Sequence, residues 1–165
     1  MNALDYLSEL EQEFVSTGHL LEILPEDHLT YKPHEKAMSL GQLALHVASL
    51  PGRNLQFAHD GQVETTVIVQ HPIPENKQEI LLAFEKSQNV SRSILETEKQ
   101  EWLTKEWNLL RSQTPIATMP RSSFIRTFVL NHLYHHRGEL ATYLRTLDVA
   151  LPSIYGPTAD INPFA

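Results

Sequence analysis

At 165 residues, 41% hydrophobic and 20% charged, the chain has the size and composition of one globular domain, 1–165, and not those of a disordered or fibrous protein. A net charge of −7 with no cluster of Lys or Arg excludes the phosphate-neutralising surface of nucleic-acid binders, and the absence of cysteine excludes disulfides, thiolate metal sites and a cysteine nucleophile. The acidic start MNALDYLSELEQEF is unlike a signal peptide and no apolar run nears the ~20 residues that span a bilayer, so the expected location is the cytoplasm, with no membrane partner.

Residues 3–24 place Leu7, Leu10, Phe14 and Leu21 at three- and four-residue steps, which predicts an amphipathic helix capped by Asn2 and ended by Pro25. Up to Lys36 the polar residues and Pro33 predict a crossing loop. Ser39 and Gln42 form a capping-box pair, and a second helix starts there. Its apolar face runs through Leu43, Val47 and Leu50 and, past a kink expected at Pro51-Gly52, through Leu55 and Phe57.

Between Asp60 and Pro74 the run VETTVIVQ is β-rich but too isolated to make a sheet unaided, so an extended crossover is expected. Pro74 and Glu75 suit the first turn of a third helix, whose Ile80, Phe84, Ser91 and Ile94 or Leu95 form a stripe continuing to Trp102. WNLLRSQTPIATMP, from Trp107 to Pro120, has the composition of a strand or a short β hairpin lying over one end of a bundle. The last helix begins near Ser122, with an inner stripe of Ile125, Phe128, Val129, His132, His136, Leu140, Tyr143, Leu144 and Leu147. The proline-rich tail LPSIYGPTADINPF cannot continue it. The fold class is therefore all-α, a four-helix bundle with long connections.

His132 and His136 occupy stripe positions where the periodicity calls for Leu or Ile, one turn apart on one face. His46 does the same between Leu43 and Leu50 on the second helix. One histidine on an apolar face commonly packs and hydrogen-bonds, but three in one core each carry a desolvation cost that a shared metal ion removes. His46, His132 and His136 are thus the candidate ligands of one divalent ion. His19, His28, His34, His59 and His71 fall in loops, helix ends or exposed positions and are assigned to the surface. His135 points about 100° from His136 and should miss the ion or sit at the edge of its site. Leu133 follows His132, so the H-E-x-x-H of zinc proteases is absent, as are a P-loop, G-x-S-x-G and the paired Glu-x-x-His of di-iron bundles. Trp102 and Trp107 are read as lids or core.

NHLYHHRGELATYLR followed by LPSIYGPTAD resembles the C-terminal signature of the DinB-like (DinB/YfiT) proteins, a damage-inducible family distinct from the polymerase that shares the name. SLGQLALHVASLPG is similar to that family's second helix with its lone metal histidine. The resemblance implies an up-down-down-up bundle, often a homodimer, with a divalent metal on three histidines that map onto His46, His132 and His136. It also implies a metal-dependent transferase using a low-molecular-weight thiol of the bacillithiol type in stress or detoxification, since known members include thiol S-transferases and a mycothiol-dependent isomerase. Where the family commonly has Gln, this chain has Glu139, a carboxylate able to orient an imidazole from behind or to alter the choice of substrate.

Three imidazoles leave coordination positions open for a thiol or water, whose pKa the ion lowers, and they accept Zn, Ni, Fe or Mn. The partner expected there is a small-molecule substrate. A non-catalytic metal-binding stress scaffold and a metal-dependent small-molecule hydrolase are the alternatives.

Overall fold

The computed structural model describes residues 2–68 and 70–164. Helix α1 (Ala3–Glu22) starts at a reciprocal capping box in which the Asp5 amide donates to Asn2 Oδ1 at 3.0 Å and the Asn2 amide to the Asp5 carboxylate at 2.6 Å. It buries Tyr6, Leu10, Phe14 and Leu21. Helix α2 (Leu40–Asp60) is capped by the expected Ser39–Gln42 pair and closes at Gly61, whose left-handed backbone (φ +79°) favours glycine.

Helix α2 runs as one element through Pro51 and Gly52. Gly52 serves packing. A Cβ there would lie 2.6 Å from the Ser87 carbonyl oxygen, and the Gly52 amide donates to Ser87 Oγ at 2.8 Å.

The crossover is more structured than its isolation in sequence implies. Strand β1 (Gln62–Glu64) leads into a single helical turn, α3 (Thr65–Ile68). Val69, within VETTVIVQ, lies outside the described residues. Helix α4 (Lys77–Thr97) starts later than Pro74-Glu75, at the Asn76 cap, and ends before Trp102, which falls in a separate short helix, α5 (Gln100–Thr104). Strands β2 (Glu106–Arg111) and β3 (Thr114–Pro120) form the expected antiparallel hairpin. Ser112 and Gln113 turn it with positive φ at both positions. β1 pairs parallel to β2, Val63 opposite Leu109, so three strands form the sheet and the crossover finds its backbone partners there.

The last helix has three parts: an α-helical turn, α6 (Arg121–Phe124), a π-helical segment Ile125–Asn131, and α7 (His132–Thr146). Helix α4 packs most extensively on α2 and also on α1, while α2 packs on α7 and the π segment. Consecutive helices α1 and α2 touch little and are joined by a long connection. The architecture is a four-helix bundle carrying a small sheet. No helix among the described residues is long and apolar enough to cross a membrane.

Trp102 and Trp107 are both buried core residues, and Trp107 donates from its indole to the Phe57 carbonyl at 3.0 Å. Arg137, 1% exposed, donates to the Glu13 carboxylate at 2.5 Å, to the Glu13 carbonyl, to Thr17 and to the Tyr155 hydroxyl. That network ties the tail to α1 and α7. Ile154 packs on the core, whereas Ile161 and Phe164 stay exposed.

Candidate metal centre

Helices α2 and α7 bring His46, His132 and His136 together. Their ring centroids lie 5.2 Å (46 to 132), 4.5 Å (46 to 136) and 4.6 Å (132 to 136) apart. One ring nitrogen from each falls within 4.8 Å of the others. Nε2 of His132 and Nε2 of His136 are 2.8 Å apart. Two nitrogens held by a tetrahedral ion at its usual bond lengths are about 3.3 Å apart, so a few tenths of an ångström of opening admits one.

The π segment explains how two histidines reach this position. A π turn accommodates one residue more than an α turn and so rotates the helix beyond it. The fully buried line therefore runs Ile125, Val129, Leu133, Arg137, Leu140 and Leu144, with His132 and His136 one residue before its members, on the flank facing α2. This corrects the sequence-derived stripe in two places. Phe128 is 37% exposed, and Leu133 and Arg137 occupy core positions that the periodicity does not assign. The His132 amide bonds back to Thr127 in the π pattern, and the Phe128 carbonyl accepts from buried Asn54 Nδ2 at 2.5 Å, which pins α2 to the segment.

Burial and neighbouring positive groups keep the imidazoles neutral. Desolvation first, then His136 and Arg53, push the His46 pKa down to about 3. Desolvation and His136 push that of His132 to about 4. Burial also lowers the pKa of His136, opposed by its bond with Glu139. Neutral imidazoles are the form that binds metal. His46 Nε2 is buried with no hydrogen-bond partner, and His132 Nδ1 is buried beside the Phe128 carbonyl without a well-formed bond. An orphaned buried nitrogen on a member of a histidine cluster fits a cation that completes it.

Glu139 stands behind His136, its Oε2 2.6 Å from Nδ1. Assigning the proton to Nδ1 in that bond leaves Nε2 with a bare lone pair aimed at His132. The carboxylate therefore orients an imidazole, one of the two roles open to it. Its other oxygen faces exposed His135 at 3.3 Å, which puts His135 at the edge of the site as expected. His71 departs from its purely surface assignment: though exposed, its ring lies 5.3 Å from that of His46, brought there by the crossover, and Gln42 Nε2 donates to its carbonyl at 2.8 Å. His59 pairs with Glu98 away from the cluster. Asn54 and Arg53, both on α2, are the site residues that sequence reasoning missed; the polar residues of the helix after Pro51 were its one available signal.

Two cavities adjoin the histidines. One of about 280 Å³ is lined by His46, Ser49, Arg53 and His71, and one of about 250 Å³ by Arg53, Phe57, Trp107, Phe128 and His132. Such a donor set beside open space suits a reactive ion better than a closed structural one.

A model of the DinB family matches residues 1–161. The protein YrdA of Bacillus subtilis (strain 168) is 25% identical over 159 residues, which cover 94% of this chain and 89% of YrdA. A solved DinB-like protein of Bacillus cereus ATCC 10987 superposes with a TM-score of 0.73 at 22% identity, covering 91% of this chain and 95% of that one. A second, from Bacillus subtilis, gives 0.71 at 20% identity, covering 91% and 97%. These two likenesses establish the fold.

Proposed function

We propose, for a chain that belongs to the DinB family, that His46, His132 and His136 hold one divalent metal ion and that the protein is a metal-dependent S-transferase. Its thiol would be a low-molecular-weight one of the bacillithiol type, and its role stress response or detoxification. The observation that carries the reading is the convergence of three ring nitrogens from two helices, with His46 Nε2 buried and otherwise unpaired.

A bound Zn, Ni, Fe or Mn ion supplies Lewis acidity with open positions, which lowers the pKa of a thiol or water toward neutrality. The protein's own groups prepare for that chemistry. Burial keeps His46 and His132 unprotonated at neutral pH. Glu139 fixes the tautomer of His136 and is thereby occupied, so it is not placed as a general base. Phe57, Trp107 and Phe128 give the cavity beside His132 an apolar wall. In the transfer the thiolate sulfur bonds to an electrophilic carbon, the leaving group departs with its electron pair, and the thiol proton passes to solvent.

The test is elemental analysis of protein made without a polyhistidine tag, followed by transfer of bacillithiol to an electrophilic arene with and without the ion found. One equivalent of metal and metal-dependent transfer are expected. Protein that takes up none of the four ions would overturn the reading, and metal-dependent hydrolysis without any thiol requirement would replace the reaction. Homodimerisation belongs to the same proposal, supported by family resemblance and exposed Ile161 and Phe164, and light scattering reads it directly.

A further inference from the structure

Arg53 follows His46 by seven residues, two turns along nearly the same face of α2. Its Nε is buried without a hydrogen-bond partner, and among the described residues the guanidinium enters no ion pair. Its charge is felt at both His46 and His132. Three cavities share it: the two beside the histidines and a third of about 430 Å³ that Lys86 also lines. Among the described residues no Asp or Glu lines any of the three, in a chain with twenty acidic residues against thirteen basic ones.

A partly desolvated guanidinium that lacks an acceptor is short of what its geometry suits best, a carboxylate that takes two parallel N–H donors. The cavity beside His132 adds a wall of Phe57, Trp107, Met119 and Phe128, apolar and largely aromatic. Charge and wall meet at one residue.

We propose that Arg53 selects the substrate: a small amphipathic carboxylate whose anionic group pairs with the guanidinium while its aromatic or branched body fills the cavity between the sheet and the π segment, beside His132. The inference rests on the histidine cluster being the reacting centre for its functional meaning. The binding itself depends on Arg53 and the cavity.

Isothermal titration with 3-phenylpropionate and with its neutral amide separates the two. In zinc-loaded and in chelator-treated wild-type protein alike, the carboxylate should bind about tenfold more tightly than the amide or better, as a hydrogen-bonded charge pair requires. Arg53→Gln should bring the two ligands within about twofold of each other, with amide affinity, metal content and circular dichroism unchanged, and Arg53→Lys should restore part of the preference. A preference untouched by Arg53→Gln, or no preference in the wild type, overturns the proposal. So does a preference that vanishes from the wild type on chelation, since the ion would then be holding the carboxylate. Protein that takes up no metal yet keeps an Arg53-dependent preference supports this inference and removes the transferase reading; the converse result removes this inference alone.

Discussion

Replacing Glu139 tests how this protein would set the strength of the metal site proposed at its histidine cluster. The carboxylate accepts from His136 Nδ1 at 2.6 Å, and its side chain is 42% exposed. A hydrogen bond to a charged group contributes about 1.5–3 kcal/mol, and this exposure places Glu139 at the lower end of that range. Glu139→Ala removes acceptor and charge together, so metal affinity should fall by about 1.4 kcal/mol, roughly tenfold, as for other groups that support a ligand from behind. Glu139→Gln keeps an acceptor at the same place and with it the tautomer. Because a charged partner makes the bond roughly twice as strong, the amide should retain about half of the effect and lose only about threefold. Competition against a chelating dye at pH 7.5 measures both, with circular dichroism as the control for folding. The carboxylate raises the proton affinity of His136 as well as its affinity for metal, so the gap between wild type and Ala variant should narrow towards pH 5, where protons compete more with the wild type. An Ala variant that binds metal as tightly as wild type at pH 7.5 would refute the assigned role.

Further expectations concern the triad and the packing beneath it. His136→Ala should lose stoichiometric metal on elemental analysis yet keep its circular dichroism, at a cost of about 1–3 kcal/mol in urea unfolding; a variant that unfolds outright would favour the scaffold alternative. The metal-free protein should weaken as pH falls from about 6.5 towards 4. His46 and His132 have folded pKa values near 3 and 4, below those of the unfolded chain, so the unfolded state takes up protons the folded state refuses. Each imidazole adds a slope of at most about 1.4 kcal/mol per pH unit, and a urea midpoint that does not move between pH 7 and 5 would contradict the assignment. Gly52→Ala should cost about 1–3 kcal/mol, because its new methyl meets the Ser87 backbone at 2.6 Å; an unchanged unfolding midpoint would mean that α2 and α4 are less closely packed there.

Local rules were legible wherever a residue acts on its own neighbours. Asn2 and Ser39 announce helix starts because a cap needs only its own first turn, and the Ser39–Gln42 capping box stands where the sequence places it. What Gly52 does is set by the tertiary packing and not by the local sequence: it lets α4 come close enough for Ser87 to bond its amide. β1 was unreadable as a strand because its partner, β2, lies more than forty residues further on. The three histidines could be found because imidazoles on apolar stripes are anomalous in themselves, whereas Arg53 and Asn54 stand among polar neighbours and carry no such signal.

The π segment links these failures to the site. A regular helix through Ile125 would lay Phe128, His132 and His136 along the buried centre, as the 3.6-residue period requires. The inserted residue moves Leu133 and Arg137 into that centre and leaves the two histidines on its half-buried flank, with His132 lining the cavity under the sheet. Arg137 is then held by Glu13, Thr17 and Tyr155, which fixes the rotation of α7 from the side of α1. Asn54 fixes it from the near side by donating to the Phe128 carbonyl. Sequence periodicity reports which residues want burial, but the choice between the lines through 132 and 133 is made by polar contacts over seventy residues away in the chain. A histidine pair at the centre would be sealed in; on the flank it stays dry enough to remain neutral and open enough to meet a ligand.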